Sequence, residues 1–120
     1  MSIYKDIILD HYRNPRNFGK LAHATKSVSL YNPLCGDRIT MEVTRENNSI
    51  KDVRFSGEGC AISQATASML TDYVQGKSLE ELRKIPKEFI MNMIGIELSP
   101  NRLKCALLPW EALMKIVTEL

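Results

Sequence analysis

Four residues of this chain carry side chains suited to holding a metal ion through sulfur and oxygen: Cys35, Asp37, Cys60 and Cys105. Cys35-Gly36-Asp37 comes first. Where residues 35–37 are extended, Cys35 and Asp37 project to the same side, because side chains alternate along a strand. Gly36 between them lets the backbone bend or approach an ion closely. A turn with a filler cysteine and an Asx-type aspartate fits the same tripeptide, so the motif alone leaves both open. Cys60 follows Gly57-Glu58-Gly59 at the head of a helical pattern. The free N–H groups there favour a thiolate, while Glu58 opposes it as a nearby like charge. Cys105 sits in Arg102-Leu103-Lys104-Cys105, placed by the pattern just before a proline-started helix, where two cations favour thiolate. Cys60 and Cys105 each also suit a small apolar residue packed on a helix.

All three cysteines thus fall at element boundaries, which can converge at one end of a domain. Three sulfurs and a carboxylate make a complete tetrahedral set for zinc, and thiolates also hold iron with sulfide. The spacing is not the paired C-x-x-C of a zinc ribbon.

The bulk numbers frame this site. A chain of 120 residues is expected to form one domain, 1–120, able to bury its own core. A net charge of +2 gives no ground for nucleic-acid binding. No window approaches the roughly 18 consecutive apolar residues of a membrane span. Met1-Ser2-Ile3-Tyr4-Lys5-Asp6 lacks a secretory apolar core, so a cytoplasmic protein is expected. The odd count of three cysteines argues against a disulfide scaffold.

The elements that must position the four residues are legible as periodicities. Ile3 to Tyr12 has helical spacing and stops at Asn14-Pro15-Arg16-Asn17-Phe18-Gly19. Ser27 to Asn32, then Ile39, Met41 and Val43, then Ile50, Val53 and Phe55, alternate with period two. Asn47-Asn48-Ser49 turns the chain between the last two runs, and Gly57-Glu58-Gly59 is expected to break the third strand. Cys60 to Gln75 reads as a helix closed by Gly76. Ser78-Leu79-Glu80-Glu81 resembles a capping box, and Pro86 starts a helix from Lys87 to Met93. Leu107 to Val117 is expected as the last helix, with Pro109 in its first turn. Strands first and helices after predict an α+β fold: a three-stranded antiparallel sheet with helices packed on one face. His11 and His23 are read as packed or solvated residues, and Trp110 and the methionines Met91, Met93 and Met114 as core residues. Arg38 should point away from Asp37.

At these motifs the chain resembles the IscU/SufU/NifU-N family of iron–sulfur cluster assembly proteins. The likeness covers nearly the whole chain. It is carried by Tyr4 to Gly19, by Asn32-Pro33-Leu34-Cys35-Gly36-Asp37, by Gly57-Glu58-Gly59-Cys60-Ala61-Ile62-Ser63, and by Arg102-Leu103-Lys104-Cys105-Ala106. The resemblance implies that Cys35, Asp37, Cys60 and Cys105 bind zinc or hold a nascent [2Fe–2S] cluster. It implies sulfur arriving as persulfide from a pyridoxal-phosphate cysteine desulfurase, and downstream iron–sulfur acceptor or carrier proteins as the other partners. Cys105, taken to lie on a connection beside Arg102 and Lys104, is the expected sulfur acceptor. Asp37, the one oxygen ligand, is the expected labile ligand, with Cys35 and Cys60 as fixed anchors. IscU-type scaffolds carry a histidine before the last cysteine; Lys104 stands here, as in the SufU type. Leu98-Ser99-Pro100-Asn101-Arg102 is a poor match to the IscU chaperone string Leu-Pro-Pro-Val-Lys. The short segment from Cys60 to Cys105 is IscU-like, since SufU-type chains carry an insertion there. Scaffold and zinc-dependent sulfurtransferase therefore both stand. A structural zinc protein without sulfur transfer is the alternative, and a small interaction domain with cysteines as core filler is a third class.

Overall fold

The chain's computed structural model describes residues 3–120. Helix α1 (Ile3–Arg13) precedes three strands, β1 (Lys26–Asn32), β2 (Asp37–Glu46) and β3 (Ser49–Glu58). Four helices follow: α2 (Ala61–Val74), α3 (Leu79–Arg83), α4 (Lys87–Ile94) and α5 (Pro100–Glu119). The strands form one antiparallel sheet in the order β1-β2-β3. Asn32 pairs with Asp37 across the first hairpin and Arg38 pairs with Glu58 at the far end of the second. The start of β2 is therefore flanked by the end of β1 and the end of β3.

Period two decides which face the helices cover. Ile39, Met41 and Val43 of β2 and Val53 and Phe55 of β3 are fully buried, while Thr40, Glu42 and Thr44 face the other way half-buried. Leu70 and Val74 of α2 and Leu113 and Ile116 of α5 complete that core. Helix α1 lies on α2 rather than on the sheet. The fold expected from the sequence, a three-stranded antiparallel sheet with helices on one face, is the fold observed.

Two expected boundaries move. β3 runs through Gly57 to Glu58 instead of breaking there; Gly57 pairs with Ile39 at φ +149°, a conformation open to glycine. The last helix begins seven residues earlier than Leu107, at Pro100. Ser99 caps it, its hydroxyl accepting the Arg102 N–H, and Pro100 follows at the first helical position. Pro109 then stands inside α5, not in its first turn. Having no N–H, it leaves the carbonyl of Cys105, four residues back, without its helical donor. The helix continues because its far side is anchored: Ala112, Leu113 and Ile116 are buried, and the Trp110 indole N–H donates to the Ile85 carbonyl at 3.0 Å. Burial outweighs one lost backbone bond. Met93 and Met114 pack against the core as expected, but Met91 is exposed.

His11 fastens α1 to α2. Its Nδ1 lies 2.7 Å from the buried Ser68 hydroxyl, and that oxygen already accepts the Arg16 backbone N–H at 2.8 Å. The hydroxyl can donate to an unprotonated Nδ1 or, in the other tautomer, accept from Nδ1–H. Desolvation first, and then the Arg16 charge, hold the His11 pKa below its usual value, against weaker pulls from Asp10 and Asp72. Below about pH 6.5 the unfolded chain therefore binds more protons at this position than the folded one. Stability should be at its full value above that pH and decline as pH falls beneath it. Urea unfolding between pH 5 and pH 8 should show this acid-side slope, reduced in His11→Gln; an unchanged slope in the variant would remove His11 as its source.

Candidate metal centre

The β1–β2 hairpin turns through Pro33, Leu34, Cys35 and Gly36. Cys35 is thus in the turn and not in an extended run with Asp37. Gly36 has φ +76° and donates its N–H to the Asn32 carbonyl at 2.8 Å, while the Asn32 side chain accepts the Leu34 N–H at 3.0 Å. The left-handed glycine reverses the chain so that Cys35 stands over Asp37, the first residue of β2. Asp37 is on the core-facing row of β2 and is only 1% exposed. Arg38 points to the opposite face, as expected, with its guanidinium 5.4 Å from the Tyr31 ring centre.

Cys60 is the residue capping α2, and its own side chain makes no capping bond. Instead the Asp37 carboxylate comes to it. Oδ1 accepts the Cys60 backbone N–H at 3.0 Å and Oδ2 lies 3.5 Å from Cys60 Sγ. Cys105 is in the second turn of α5, 2% exposed, so the expected place on a mobile connection does not hold. Its Sγ, a carboxylate oxygen of Asp37 and the Cys35 Sγ all lie within 4.8 Å of one another. Three elements therefore deliver donors to one spot; the Cys60 sulfur is not in that group but lies against Oδ2 of the same carboxylate.

The expectation that Arg102 and Lys104 favour a Cys105 thiolate is also reversed. Both cations are exposed on the outer side of α5. Burial pushes the Cys105 thiol up, and its contacts with Cys35 and Asp37 and the charges of Asp37 and Cys60 push the same way. Its neighbours are the Asp37 carboxylate and two other thiols, surroundings that favour a bound cation.

The donor chemistry fits zinc or thiolate-held iron: three thiols and one carboxylate, of graded exposure. Cys35 is exposed, Cys60 intermediate and Cys105 buried. Exposed apolar residues stand next to the open cysteine: Leu34 is 69% and Tyr31 55% exposed. A shallow cavity of about 320 Å³ is lined by Tyr31, Pro33, Leu34 and, from α5, Lys104, Leu108 and Glu111. This lip was not identified in the sequence; its signal was the apolar Pro33-Leu34 pair in a turn beside a cysteine. Neither histidine takes part: His11 is bound to Ser68 and His23 is exposed in a loop.

Comparison with known proteins places this geometry in a wider group. The family model described as "NifU-like N terminal domain" matches residues 3–119. A protein named zinc-dependent sulfurtransferase SufU, from Bacillus subtilis, is 37% identical, over 98% of this chain and 91% of its own length. One named iron–sulfur cluster assembly scaffold protein IscU 1, from Archaeoglobus fulgidus, is 35% identical, over 98% of this chain and 76% of its own. Among solved structures, a protein described as a putative iron–sulfur cluster assembly scaffold for the SUF system, from Fervidobacterium islandicum, superposes with a TM-score of 0.78 at 29% identity. It covers 94% of this chain and 93% of its own.

The site also makes a stability prediction. A buried carboxylate whose near neighbours are thiols is costly to desolvate unless a cation joins it. Asp37→Asn keeps an oxygen for the Cys60 N–H and removes the charge. Metal-free Asp37→Asn should be at least as stable as the wild type in urea, while the rise in Tm on adding zinc should shrink. A metal-free variant weaker by more than about 1 kcal/mol would contradict this account.

Proposed function

This chain belongs to the NifU-like N-terminal domain family, and from that premise we propose that it is an iron–sulfur cluster assembly protein. In this reading one domain, spanning 1–120, accepts sulfur as persulfide from a cysteine desulfurase and holds or passes on a nascent [2Fe–2S] cluster. Zinc occupies the same place at rest. The single observation that carries the reading is the convergence of Cys35, Asp37 and Cys105 donor atoms within 4.8 Å, with Cys60 on the same carboxylate.

Cys35, Asp37, Cys60 and Cys105 are the proposed ligands. A bound zinc ion supplies the positive charge that keeps the thiols as thiolates at neutral pH. The residues themselves divide the remaining work by exposure. Cys60, the cap of α2, and Cys105, in the second turn of α5, are anchors. Cys35 is the thiol that a partner's persulfide can reach, so the proposed acceptor moves from Cys105 to Cys35. Its thiolate attacks the terminal sulfur of the donor's Cys–S–SH. A new S–S bond forms at Cys35 Sγ, the donor's S–S bond breaks, and the donor cysteine leaves as thiolate with no external oxidant. Asp37 is the labile ligand because its oxygen binds a thiophilic metal less firmly than the sulfurs, and because the Cys60 N–H competes for it. Exposure of Cys35 favours a transfer site over a purely structural zinc site, which would enclose all its ligands.

Two measurements test this. Incubation with a cysteine desulfurase and cysteine, followed by mass spectrometry, should show persulfide on wild type and none on Cys35→Ser. Persistent label on Cys105 in that variant would return the acceptor role to Cys105. With iron added as well, a cluster absorbance should grow, and Asp37→Ala should release cluster to an acceptor protein several-fold more slowly. Zinc that stays bound without raising desulfurase turnover, together with no cluster, would leave a structural zinc protein.

A further inference from the structure

We propose that Gly59 is a positioning residue of this site: the side chain it lacks is the space in which the Asp37 carboxylate is seated. The inference rests on the reading of Asp37 as a ligand and assigns a residue that contributes no ligand atom. Gly59 links the end of β3 to Cys60 at the head of α2. A Cβ added there would stand 2.6 Å from Asp37 Oδ1, 2.8 Å from its Cγ and 3.2 Å from its Cβ. Oδ1 is the oxygen that accepts the Cys60 N–H. The three nearest obstacles are thus all atoms of one proposed ligand.

The other glycines near the site have different reasons to be glycine. Gly36 needs its positive φ and has open space where a Cβ would go. Gly57 has a positive φ, and a Cβ there would run into the backbone carbonyl of Arg38. Gly59 shows no left-handed backbone, and the residue is exposed to solvent on its other side. Its requirement is steric, and the nearest atoms a side chain would meet are those of Asp37. A methyl group at this position must turn the carboxylate away from the Cys60 N–H. The three thiols keep their elements, and the oxygen donor leaves the place where Cys35 and Cys105 converge.

A double-mutant cycle on the full chain tests this, using Gly59→Ala, Asp37→Ala and the pair together. In the metal-free protein, hydrogen exchange of the Cys60 amide should speed up equally in all three variants. A Cys60 amide that stays protected in Gly59→Ala overturns the proposal. With cobalt(II) as a visible probe of the zinc position, Gly59→Ala should weaken binding by roughly 10–100-fold. Its ligand-field spectrum should match that of Asp37→Ala, with the thiolate charge-transfer bands retained. In the Asp37→Ala background the same substitution should change affinity by less than about 2-fold. An equal loss in both backgrounds overturns the proposal, because a merely structural effect would not depend on the carboxylate. Should Gly59→Ala fail to fold, a folded double variant supports the proposal and an unfolded one overturns it. A wild type that binds no cobalt refutes the metal reading instead, while the amide measurement still decides the role of Gly59.

Discussion

The bond from the Cys60 N–H to Asp37 Oδ1 ties the first residue of β2 to the head of α2. It spans 23 residues of sequence and does two things at once. It satisfies a backbone donor at a helix start that has no capping side chain of its own. It also draws a carboxylate into the core-facing row of a strand, where an aliphatic residue would otherwise belong. The rest of the site is arranged around that intrusion. Gly59 leaves it room, the Gly36 turn brings a sulfur over it, and α5 brings another from the side.

The same arrangement explains why the protein's polar site sits at the end of a sheet and not on its face. Asp37, Ile39, Met41 and Val43 share one row of β2, and only the first is polar. At the strand's start, the hairpin turn, the end of β3 and two helices all lie within reach. Further along, the row is covered by Leu70, Val74 and their neighbours. The proposed transfer of sulfur needs one donor open to a partner, and Cys35 on the hairpin is the exposed thiol. The proposed ligands Cys60 and Cys105 are held by the packed helices α2 and α5. This graded exposure, from Cys35 through Cys60 to the buried Cys105, is set by element type: turn, helix cap, helix interior.

Much of this was legible in the residues. Period two in Ile39, Met41 and Val43, helical spacing in Ala65 through Val74, and the Ser78 cap gave elements close to those found, because these signals are local. The start of α5 at Ser99-Pro100, a cap followed by a first-turn proline, was not read from the sequence. Pro109 reads as a helix start when only neighbours are considered, and that placed the expected start at Leu107. Gly57 has the same character: glycine weakens a strand locally and so reads as a break, and here pairing with Ile39 holds it in place.

From the sequence alone came the four proposed ligand residues, the fold class and the family, since residue types, periodicities and motif order need no coordinates. Only the tertiary structure decided what each residue's surroundings are. It moved Cys105 from a free connection into a packed helix, made Cys35 the open thiol, and put the Asp37 carboxylate against Gly59 and the Cys60 N–H. Exposure, desolvation and close approach are properties of groups distant along the chain, and they come into being only when sheet and helices pack.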